Sequence, residues 1–64
     1  MNNLRKIRRS VDLTQQELAD KTKLSKSYIC DLEKGNIINP SVYKCYDIAD
    51  LFGVDIFTIF PRKS

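Results

Sequence analysis

The chain has 64 residues, 11 of them basic and 8 acidic, for a net charge of +3, with two cysteines and no histidine. This length predicts one domain over residues 1–64, and the absence of histidine, of a CxxC pair and of a paired-carboxylate pocket excludes a zinc-ligand set, a disulfide framework and a credible catalytic site, so neither enzymatic activity nor a cofactor is expected. No apolar run approaches the ~20 residues that span a bilayer, and MNNLRKIRRS lacks the apolar core of a signal peptide, so the expectation is a cytoplasmic protein without membrane contact.

The first helix is predicted over residues 3–11. Leu4, Ile7 and Val11, at i, i+3 and i+7, form its buried stripe. Arg5, Lys6 and Arg9 point elsewhere and read as a solvated face. Together with Arg8 they place +4 in the first nine residues, so the other residues sum to −1. A purely electrostatic coat on DNA would need more charge, and any DNA affinity must rest on a specific docked surface.

A second helix is predicted to start at Gln15, because Thr14 and Glu17 fit a reciprocal capping box. Leu18, Ala19 and Thr22 share one side of it, and the small Ala19 lets another helix axis come close. Ser25 as N-cap and Gly35 as the left-handed terminator bracket a third helix, Lys26 to Lys34. At about 100° per residue, Ile29 and Leu32 define a narrow apolar seam. Ser27, Cys30, Asp31 and Lys34 lie opposite, with Lys26 beside them. Short polar side chains on such a face can read base edges in the major groove of double-stranded DNA.

The stretch TQQELADKTKLSKSYICDLEKG resembles the helix-turn-helix of the Cro/CI-type (Xre) family of phage and bacterial DNA-binding regulators. The resemblance extends over nearly the whole chain. It implies an all-α, five-helix fold of the lambda-repressor type with the helix-turn-helix at its centre. It also implies a structural salt bridge between Arg8 and Glu33, tying the first helix to the end of the recognition helix. Asp12 and Lys23 stand where the family usually has glycine; in a left-handed conformation both would be strained, Lys more than Asp. The glutamine position of Gln15 implies a phosphate contact at a helix start.

Base contacts are expected from Lys26, Ser27, Asp31 and Cys30. Lys26 can donate to guanine, Ser27 can bond to several bases, Asp31 can accept from cytosine, and Cys30 can touch a thymine methyl. Asp31 is either a device against wrong sequences or a partner for Lys34 at i+3. Phosphate contacts are expected from Gln15, Ser25, Tyr28, Lys34, Asn36, Tyr43 and Lys44, with half-buried packing as the alternative role for Tyr28. Cys30 as a redox sensor is the less favoured reading of an outward cysteine.

The connection GNIINP carries Ile37 and Ile38 where related proteins often carry basic residues, and one of the two is expected in the core. A fourth helix is predicted from Val42 to about Phe52, started by Ser41 and ended by Gly53, with Val42, Cys45, Ile48, Ala49 and Phe52 facing inward. Cys45 inward and Cys30 outward cannot pair. Asp55 caps a last short helix, IFTIF, stopped by Pro61. Its apolar residues predict a homodimer interface at Ile56, Phe57 and Phe60, centred on Phe57. Arg62 and Lys63 form a basic tail too short to wrap DNA.

The leading expectation is a sequence-specific transcriptional regulator, a repressor binding a palindromic operator as a homodimer through Lys26 to Lys34. The alternative is an antitoxin-like module whose apolar C-terminal surface holds a protein partner.

Overall fold

The computed structural model describes residues 2–37 and 40–61. Ile38, Arg62 and Lys63 therefore lie outside the described residues. Five helices follow in order: α1 Leu4–Ser10, α2 Gln15–Thr22, α3 Lys26–Lys34, α4 Val42–Phe52 and α5 Ile56–Ile59. None is long and apolar enough to cross a membrane.

Local chemistry explains most of the boundaries. The Thr14 hydroxyl accepts from the Glu17 amide at 3.0 Å, and the Glu17 carboxylate accepts from the Thr14 amide at 2.9 Å, closing the capping box that starts α2. Ser25 accepts from the Tyr28 amide and starts α3; Asp55 accepts from the Phe57 amide and starts α5. Gly35 (φ 77°) and Gly53 (φ 67°) take the left-handed conformation that ends α3 and α4. Ser41 occupies the N-cap position of α4, but its side chain makes no capping bond there.

The core is built from all five helices: Leu4 of α1, Leu18 and Ala19 of α2, Ile29 and Leu32 of α3, Ile48 and Ala49 of α4, and Ile59 of α5 are buried together. The first residues lock the two ends of the chain onto it. Asn3 donates its amide to the Ile59 carbonyl at 2.8 Å, and the Asn2 side chain donates to the Leu32 carbonyl at 2.8 Å.

Two residues expected inside are outside. Val11 is 53% exposed: α1 stops at Ser10, Val11 is its non-helical C-cap, and the chain then leaves through a left-handed Asp12. Val42 is 50% exposed: it opens α4 in the turn before the buried Cys45, where its neighbours Tyr43 and Lys44 are exposed as well. The inward position beside Leu4 on α1 is instead taken by Arg8, 7% exposed. On α5, Ile59 is fully buried, Ile56 and Phe60 pack half-buried against the core, and Phe57 is 51% exposed. Ile37 is likewise half-buried against the core.

Candidate nucleic-acid interface

α2 and α3 are joined by Lys23, Leu24 and the N-cap Ser25, with Lys23 left-handed at φ 60° and its amide donating to the Ala19 carbonyl. Ala19, 1% exposed, lies in the core with Ile29 and Leu32, so α3 is held from behind by its apolar seam. Lys26, Ser27, Asp31 and Lys34 are exposed on its other side. Cys30 is half-buried, so it presents only part of its side chain to that face. Asp31 makes no ion pair with Lys34, which leaves its carboxylate available to solvent.

The α3 end is fixed by a network centred on Glu33, whose side chain is fully buried. Arg8 donates from Nε to Oε2 at 2.6 Å and from Nη2 to Oε1 at 3.3 Å, a two-pronged grip that suits the planar guanidinium. Its Nη1 donates to the Leu13 carbonyl at 2.6 Å. Gln15 donates from Nε2 to Oε1 at 3.1 Å, and Arg5 adds a longer contact at 3.5 Å. Burial raises the Glu33 pKa, but the hydrogen bonds from Arg8 and Gln15, the Arg8 charge and the Arg5 contact outweigh it, so the carboxyl stays below the ordinary glutamate range. One carboxylate thus ties α1, α2 and α3 together. The family resemblance implies Arg8 and Glu33 alone; Gln15, Arg5 and the Leu13 carbonyl join because the fold brings their ends to the same place.

That network changes the part Gln15 plays. Its amide nitrogen is committed to Glu33, so a phosphate would meet the backbone amides of the α2 start rather than this nitrogen. Tyr28 departs further from expectation. Its ring packs half-buried against the core and its hydroxyl is sealed from solvent without a hydrogen-bond partner, so that hydroxyl does not reach a phosphate. This half-buried packing is the alternative role expected for Tyr28 at the edge of the seam. Lys44 of α4 lies over the ring, Nζ 4.6 Å from its centroid, in a cation–π contact between two helices that no local pattern reveals. Ser25 is exposed with its hydroxyl accepting the α3 cap bond, while Asn36 and Tyr43 are exposed, Tyr43 at 79%.

Cys30 and Cys45 are both free, and burial pushes the Cys45 thiol up from its ordinary pKa. No group of three or more metal-ligating side chains occurs among the described residues.

Residues 4–59 match the family model described as Helix-turn-helix. The chain is 36% identical over 61 residues to the immunity repressor protein of Bacillus phage phi105, covering 95% of this chain but 42% of that protein's length. It is 41% identical over 59 residues to an uncharacterized HTH-type transcriptional regulator of Methanocaldococcus jannaschii, covering 92% of this chain and 88% of the other. In three dimensions it is similar to the N-terminal DNA-binding domain of SinR from Bacillus subtilis, with a TM-score of 0.83 at 24% identity, covering 95% of this chain and 88% of that one. This last likeness bears on the fold.

Proposed function

The chain belongs to the helix-turn-helix family of DNA-binding transcriptional regulators, which are not enzymes, and from that premise we propose that it is a sequence-specific repressor that binds a palindromic operator as a homodimer. The observation that carries this reading is the two-sidedness of α3. Ile29 and Leu32 are buried at 0% and 2% exposure while Lys26, Ser27, Asp31 and Lys34 face solvent. A rigid helix with a clamped back and a polar front is what a major groove admits.

In this reading Lys26 donates to guanine O6 or N7, Ser27 bonds to a neighbouring base, and Asp31 accepts from a cytosine amine while rejecting bases that offer only acceptors. The half-buried Cys30 offers an apolar edge to a thymine methyl. Ser25, Lys34, Asn36, Tyr43 and the backbone start of α2 at Gln15 hold phosphates; Lys44 reaches one on leaving the Tyr28 ring. The dimer is centred on Phe57, with the half-buried Ile56 and Phe60 contributing their exposed edges. Twofold symmetry then sets two α3 helices about 34 Å apart, one helical turn of DNA.

Selection of bound sequences from random duplex DNA tests this reading. Enrichment of a palindrome is the expected result. Absence of any enriched sequence would overturn it in favour of a module whose C-terminal apolar surface holds a protein partner.

A further inference from the structure

Arg5, Lys6 and Arg9 are exposed, and at ~100° per helical residue they fall within an arc of about 100° on α1, next to the Arg8 side that grips Glu33. Two open hollows flank this arc. One is walled by Arg5 and Arg9 together with Gln15, Gln16 and Lys26, the starts of α2 and α3. The other is walled by Arg5, Lys6 and Arg9 together with Lys34, the end of α3. Arg5 and Arg9 border both, so the basic arc of α1 is continuous with both ends of the recognition helix.

Carboxylates do little to cancel it. Glu33 borders the second hollow but is already engaged by Arg8, Gln15 and Arg5, and Asp12 borders the first at its α1 end. Lys6 and Arg9 have no ion-pair partner among the described residues. By contrast, the connection from Gly35 to Ser41 contains no lysine or arginine at all. A duplex docked on α3 has phosphates on both sides of the groove, and the exposed cations of α1 add to Lys34 and Lys44 in meeting them.

We infer that the Arg5, Lys6 and Arg9 face of α1 is a second DNA-backbone surface, gripping phosphates that flank the bases read by α3. The inference rests on the DNA-binding reading above and adds where the electrostatic hold resides. Such contacts raise affinity for every sequence alike and leave base preference unchanged.

The test compares wild type with the double variant Lys6→Gln/Arg9→Gln, which spares the Glu33 network, on a selected operator duplex over a series of salt concentrations. The plot of log affinity against log salt should become shallower by roughly 0.9 for each phosphate contact removed, so by about 1 to 2 in the double variant. The same loss should appear on an unrelated duplex. Lys21→Gln, at a residue bordering a different hollow with Leu51 and Phe52, should leave the slope unchanged. Circular dichroism of each variant establishes that it is folded. An unchanged slope in a folded double variant, or an equal loss in Lys21→Gln, would overturn the inference while wild-type binding still upheld the DNA-binding reading. Failure of wild type to bind any duplex would overturn both.

Discussion

At the scale of single residues, the Arg8 and Glu33 pair is the feature with the most consequence. Both side chains are withdrawn from water, and a carboxylate so placed depends on each of its donors. Arg8→Lys keeps the charge but cannot reproduce both prongs and the bond to the Leu13 carbonyl. It should lower the free energy of unfolding by about 1–3 kcal/mol, measured by urea denaturation. A change indistinguishable from zero would show that charge alone suffices. The pH dependence follows from the same site. The folded Glu33 carboxyl titrates below its unfolded value, so its contribution is full above the ordinary glutamate range and is lost as pH falls through the lowered folded value. The acid destabilisation from this group should therefore set in as pH falls into the ordinary glutamate range and be complete below the lowered folded value, and Glu33→Gln should flatten that limb. The two thiols should also separate: Cys45, buried with its thiol pushed up, should resist iodoacetamide in the native protein while the half-buried Cys30 is alkylated first, as read by mass spectrometry.

At the scale of elements, the α2 to α3 turn carries avoidable strain. Lys23 holds a left-handed φ of 60° that costs a residue with a Cβ about 1–2 kcal/mol relative to the right-handed region. Glycine removes that cost and adds entropy to the unfolded chain, so Lys23→Gly should stabilise the domain by roughly 0.5–1 kcal/mol net, seen as a higher thermal midpoint. A lower midpoint would mean that the lysine side chain makes a compensating contact. Asp12, at φ 57°, tolerates the same region better because its short polar side chain suits it. The α2 cap acts in the other direction. Thr14→Ala deletes the hydroxyl half of the capping box and should cost about 1 kcal/mol in the same assay.

At the scale of the whole molecule, a domain of this size has little surplus stability, and an apolar residue as exposed as Phe57 is a natural place to recover some by association. The proposed dimer should be detectable by sedimentation at micromolar concentration without DNA. Phe57→Glu should shift it to monomer and weaken operator binding, because each half-site would then have to be bound independently. Wild-type protein that sediments as a monomer throughout this range would remove the dimer as a state that precedes DNA binding.

The helices of this protein were legible in its sequence because their signals are local. A capping box spans four residues, a glycine terminator one, and the Ile29 and Leu32 seam a single turn, so each can be read without knowing what lies elsewhere in space. The outward set of Lys26, Ser27, Asp31 and Lys34 followed from the same periodicity. Contacts between elements were decided by the fold. Val11 turned outward because α1 ended early, and the Tyr28 hydroxyl was sealed inside because the packing of α3 on its neighbours set the ring's depth. Gln15 and Arg5 joined Glu33 because three helices converge on one carboxylate. Periodicity fixes the side of a helix on which a residue lies; only the packed arrangement of neighbouring helices fixes what that side meets, since distance in space is not a function of distance along the chain.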